Sequence, residues 1–127
     1  MIEMGDVPKM VKQSPVKRWP GEVELPMYLH AADVLAWKAA IDEAQRLTEE
    51  ARSNGETITL EQATAINVAY QRGICTIVRG WRLQNLPESI VAENFPHTPT
   101  KAARELRGWL MREITSLFDD EEELPNA

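Results

Sequence analysis

The run from Leu60 to Trp81, LEQATAINVAYQRGICTIVRGW, constrains what this chain can fold into more than any other stretch. At about 100° per residue, Leu60, Ala63, Ile66, Tyr70, Ile74, Ile77, Val78 and Trp81 fall on one continuous apolar face of a helix. Beside that face Ala69, Gly73, Thr76 and Gly80 recur at helical intervals and leave a shallow groove where a second backbone can approach. A helix with a ridge on one side and a groove on the next contacts two neighbours, so the run predicts the middle of a helical bundle. Glycine in a helix interior costs about 0.5–1 kcal/mol relative to alanine, and close packing at Gly73 and Gly80 has to offset it.

The flanking segments set the rest of the expected architecture: an all-α, three-helix bundle with an extended N-terminal arm and an acidic C-terminal tail. Prolines at 8, 15, 20 and 26 leave no helical period, so residues 1–26 read as an extended, Pro-rich arm. Within it Trp19-Pro20-Gly21 has the form of a turn, and Glu22-Val23-Glu24-Leu25 alternates as a short strand or edge segment does. Residues 27–118 form the helical domain, with helices expected at 31–53, 59–82 and 98–118, followed by the acidic tail at 119–127. In the first helix Val34, Trp37, Ala40, Ile41, Ala44, Leu47 and Ala51 share a face, and Asp42 is paired with Arg46; Asn54-Gly55 supplies a left-handed stop. Thr59 with Gln62 forms a capping box at the start of the second. Thr98 as cap and Pro99 in the first turn open the third, where Ala102, Ala103, Leu106, Trp109, Leu110, Ile114 and Leu117 keep helical spacing, and the acidic block is expected to fray its end.

Chemistry is sparse in this sequence. Only His30 and His97 are available as bases, and neither lies in a recognisable motif; His97 reads as a loop or cap residue. Two histidines and the single Cys75 do not supply a zinc site, no Gly-rich loop follows a strand, and Cys75 among apolar neighbours reads as a small core residue. No catalytic, metal or cofactor residue is therefore expected. Asn67 and Glu113 fall where the period predicts burial and read as a structural polar contact or an ion pair with a nearby arginine. No run reaches the length of a membrane span, and MIEMGDVPKMVK lacks the apolar core of a signal peptide, so the expected compartment is the cytoplasm.

Trp19-Pro20-Gly21 with Leu25-Pro26, the Trp37 helix, Asn94-Phe95-Pro96 leading into Thr98-Pro99, and Leu124-Pro125-Asn126 together resemble small helical proteins encoded in the tail-morphogenesis regions of tailed phages and prophages. The resemblance runs from Trp19 to Asn126 and implies a tail-assembly chaperone, a protein without an active site that binds the tape-measure protein while the tail is built. The apolar side chains of the arm and connection, Trp19, Val23, Leu25, Tyr28 and Phe95, either fold back across the chain's own helices or mark the contact with such a helical client or a second subunit. Basic residues in the N-terminal segment and acidic residues from Asp119 to Glu123 favour head-to-tail self-association. The alternative is a small nucleic-acid-binding regulator using one stripe of Arg72, Arg79 and Arg82 and another of Lys101, Arg104 and Arg112. The net charge of −6 opposes it.

Overall fold

A computed structural model describes residues 7–53, 55, 57–96 and 101–122. In chain order the elements are strand β1 (Lys9–Gln13), strand β2 (Gly21–Pro26), helix α1 (Ala31–Ser53), helix α2 (Leu60–Ile77), strand β3 (Gly80–Leu83), a 3-10 turn at Ala92–Asn94 and helix α3 (Lys101–Glu122). The all-α expectation is overturned, because the three strands form an antiparallel sheet in the order β1-β2-β3. Helices and sheet share one core.

Two features of the sequence produce that sheet. The prolines of the first 26 residues rule out helix but not strand, because they punctuate strand ends: Pro8 precedes β1, Pro15 and Pro20 lie between the strands, and Pro26 closes β2 where β3 no longer runs alongside. Met27 N–H donates to the Pro8 carbonyl (2.8 Å) and Ser14 N–H to that of Gly21 (2.9 Å), which ties β1 to one edge of β2. On the other edge Gln84 N–H donates to the Pro20 carbonyl and Arg79 N–H to that of Glu24, each at 2.9 Å. What reads as an arm is thus the first two strands of the sheet, with Glu22–Leu25 in its centre.

The second feature is the end of α2. The helix stops at Ile77, and Val78 caps it in an extended conformation (φ −65°, ψ 130°) while its N–H still reaches the Ile74 carbonyl. Residues Gly80 to Leu83 then alternate, with Trp81 and Leu83 buried and Arg82 exposed. The helical reading through Trp81 fails because Ile77, Val78 and Trp81 satisfy a helical period while Trp81 and Leu83 satisfy a strand period. Gly80 consequently lies in a strand opposite Glu24 rather than in a helix groove. Gly73 does mark a close helix crossing: a Cβ there would lie 3.2 Å from Ile41 Cδ1 and 3.4 Å from Ala40 Cβ and Trp37 Cε3, all on α1.

The inner face of the sheet carries Met10, Val23, Leu25, Trp81 and Leu83, with Met10 opposite Leu25 and Val23 opposite Trp81. These side chains join Ile74 and Ile77 of α2 and Leu106, Leu110 and Ile114 of α3 in a single cluster. The last turns of α3 also reach β1 and α1: Lys12 lies 3.8 Å from Glu113, and the rings of Trp37 and Phe118 are 5.9 Å apart. The connection after β3 is clamped down by Trp81, whose Nε1–H donates to the Pro87 carbonyl (2.7 Å) and whose ring meets Phe95 edge-on at 5.0 Å. Gln71 Nε2 donates to the Ala92 carbonyl at 2.9 Å and pins the 3-10 turn to α2.

Several local expectations land in place. Thr59 and Gln62 form the full capping box, and Gly55 has φ +67° at the stop after α1. The expected Asp42–Arg46 pair does not form; Arg46 is bound by Glu43 and Glu50 instead. Helix α3 passes Phe118 and runs to Glu122, into the block that was expected to fray it. Asn54, His97, the Thr98-Pro99 start and residues 123–127 lie outside the described residues.

Candidate interaction surface

Of the five residues expected to contact a partner, four are spent on the chain's own core. Trp19, Val23, Leu25 and Phe95 are buried, because β2 carries Val23 and Leu25 into the sheet's inner face and Trp81 covers Phe95. Their apolar character signals burial within the domain, and they are withdrawn as contact residues. Tyr28 alone is open, half exposed in the link between β2 and α1, where its ring meets His30 edge-on at 5.8 Å.

A different apolar surface lies on α1. One side of this helix packs on α2 through Trp37, Ala40, Ile41 and Ala44, as the Gly73 crossing requires. On another side Ala32, Leu35, Ala36 and Ala39 are exposed at positions i, i+3, i+4 and i+7, the spacing of a continuous helical stripe. Leu35 is 68% exposed, and Met27, 57% exposed, stands just before the helix with Tyr28. Three alanines around one leucine leave room for another helix to approach closely. One turn further on, the surface becomes charged where the Arg46 guanidinium holds Glu43 and Glu50. The spacing of Ala32 to Ala39 is visible in the sequence, but the Val34–Ala51 stripe accounts for α1 as a surface helix and masks the second face.

The two expected basic stripes fare differently. Arg72 is exposed on α2, but Arg79 turns inward: its Nη1 donates to the Thr76 and Ile77 carbonyls and its Nη2 lies 2.9 Å from Asp33 Oδ1. Arg82 belongs to β3, in register with Glu22. The α2 stripe therefore dissolves into a helix cap, a strand residue and one solvated arginine. On α3, Lys101 lies 3.9 Å from Glu105, while Arg104 and Arg112 are exposed.

The remaining reactive groups have structural settings. Burial, with the charge of Glu93 nearby, pushes the Cys75 thiol up to about 11, so it is protonated at neutral pH and a poor nucleophile. Glu113 is partly buried and pairs with Lys12 rather than with an arginine. Among the described residues no group of three or more His, Cys, Asp or Glu side chains is placed to hold a metal ion, and no helix is long and apolar enough to cross a membrane.

No family model, curated protein or solved structure matches this chain.

Proposed function

We propose that this protein is a non-enzymatic assembly factor that binds a helical protein client through the outer face of α1, and that the client is of the tape-measure kind implied by the tail-chaperone resemblance. The observation that carries the reading is the exposed Ala32-Leu35-Ala36-Ala39 stripe beside Met27 and Tyr28. An amphipathic client helix recognises such a stripe by laying its own apolar i, i+3, i+4, i+7 face against it. A long helical client that aggregates before its tube forms needs an apolar contact of this kind, and the net charge of −6 keeps the complex dispersed. The compartment that goes with this reading is the host cytoplasm.

Co-expression of the full chain with a helical segment of a tape-measure protein, followed by size-exclusion chromatography, tests the proposal. A co-eluting complex that is lost in Leu35→Asp supports it. Failure of any tape-measure segment to co-elute, or a complex indifferent to Leu35→Asp, removes it.

A further inference from the structure

Between α2 and α3 lies an open cleft of about 330 Å3, lined by Asn67, Tyr70, Arg107, Gly108 and Met111. Its volume is at the lower end of the roughly 300–1,000 Å3 typical of small-ligand sites. The walls are mainly apolar, an aromatic ring on one side and a thioether on the other. Asn67 and Arg107 also line a smaller depression beside it, next to Gln71 and Pro96, so both polar side chains stand at the junction of the two hollows.

Arg107 is the unusual member. It is half-buried, yet among the described residues neither its guanidinium nor the Asn67 amide has a hydrogen bond or ion pair. One turn away on α3 its neighbours are Ala103, Arg104, Leu110 and Met111, none of them acidic. Arg112 folds back at the rim, with Nη1 3.4 Å from where a Cβ on Gly108 would stand. Among the described residues no carboxylate lines the cleft that these cations face.

We propose that this cleft binds a small carboxylate carrying an aromatic or branched apolar body, with Arg107 and Asn67 on the carboxylate and Tyr70 and Met111 on the body. A guanidinium presents its donors in a planar fork that matches a carboxylate, and the Asn67 amide adds a donor beside it. Burial, together with repulsion from Arg104, draws Arg107 below the ordinary arginine range, and the charge of a bound anion favours the protonated guanidinium against both. Gly108 keeps the cleft open, because only the flexible end of Arg112 comes near the place a side chain would take. The site shares no residue with the α1 face, so either reading can fail without the other.

The test is an amide and side-chain NMR titration of the full chain with phenylacetate, with neutral phenylacetamide and inorganic phosphate as parallel probes. Phenylacetate is expected to shift the Gly108 amide and the Asn67 side-chain amide, saturating in the millimolar range, while phenylacetamide binds at least about tenfold more weakly. Arg107→Gln is expected to weaken phenylacetate binding by a similar factor, and Gly108→Leu, which fills the cleft and adds helix propensity, to abolish it. Equal binding of acid and amide, tighter binding of phosphate, or shifts that persist in both variants would overturn the assignment. So would the absence of shifts with phenylacetate where an acidic helical peptide moves the same amides.

Discussion

The Arg79 guanidinium lies 2.9 Å from the Asp33 carboxylate and joins the start of α1 to the end of α2. Both partners do double duty. Asp33 Oδ2 accepts the His30 N–H at the head of α1 (3.0 Å), and Arg79 Nη1 takes the Thr76 and Ile77 carbonyls, each at 2.9 Å, at the tail of α2. A cation at a helix C-terminus and an anion at an N-terminus each complement the helix dipole, so one ion pair satisfies two helix ends. The same Arg79 donates its backbone N–H to Glu24 and opens the turn into β3.

Replacing Arg79 by alanine is therefore expected to cost about 1–3 kcal/mol of stability, more than the exposed pairs elsewhere on this surface contribute. Asp33→Asn is expected to cost less, since the amide oxygen still accepts from His30. A double-mutant cycle by denaturant unfolding measures the coupling, and a value indistinguishable from zero would show that the pair contributes nothing to stability.

Gly21, Gly73 and Gly80 should respond to substitution in a set order. Gly21 has φ +141° and an added side chain there would run into the Arg82 carbonyl across the sheet, so Gly21→Ala is expected to cost on the order of 2–4 kcal/mol or to prevent folding. Gly73→Leu overpacks the α1–α2 crossing against Trp37, Ala40 and Ile41, at about 1–3 kcal/mol. Gly80→Ala meets only the mobile carboxylate of Glu24, at 3.4 Å, and should lie within about 0.5 kcal/mol of the parent. Urea midpoints of the three variants give the order directly; a Gly80→Ala variant as damaged as Gly73→Leu would restore Gly80 to a helix groove.

Cys75 supplies a prediction in pH. Its thiol is held at about 11 against an ordinary value of 9.0, so the folded state keeps a proton that the unfolded state releases. Stability from this group is whole below pH 9 and declines as pH rises from 9 towards 11. In Cys75→Ala that alkaline component of the decline should vanish, which thermal melts at matched pH would reveal. Iodoacetamide should also label the folded protein more slowly at pH 8 than the unfolded chain; equal rates would contradict the partly buried, protonated thiol.

Local chemistry was the most legible part of this fold. The Thr59–Gln62 capping box, the Gly55 stop and the 31–53 helix follow from side chains acting on their own backbone, and each forms where the sequence places it. The sheet was not legible for the opposite reason. Lys9–Gln13 is short and carries two lysines, Glu22–Leu25 alternates over only four residues, and Gly80–Leu83 continues an amphipathic helix with no proline between them. Strands of that length become strands by pairing with partners up to 62 residues away, information a periodicity window does not hold. Burial was legible only as one of two readings, since the apolar groups of an arm fold back on their own domain or meet a partner, and the choice is made only when the arm is seen to be a strand pair. Arg107 carries no motif at all, and its isolation emerges only when α2 is laid beside α3.

The α1 face gives the most direct functional expectation. Leu35 is 68% exposed, so Leu35→Asp should leave the unfolding midpoint within about 0.5 kcal/mol of the parent while removing client binding. An apolar anchor at the centre of a contact typically accounts for more than 1 kcal/mol, and a charge introduced there adds a desolvation cost, so a loss of at least about a hundredfold is expected. Ala36→Glu should act similarly by displacing the approaching helix, and Arg46→Ala should change the salt dependence more than the affinity itself, because its ion pairs with Glu43 and Glu50 are exposed. Val23→Asp is the informative contrast: it places a charge in a fully buried strand position and should unfold the protein, losing the client together with the fold. Circular dichroism beside isothermal titration with the client segment separates the two kinds of loss. Retention of affinity in Leu35→Asp and Ala36→Glu would move the contact off α1.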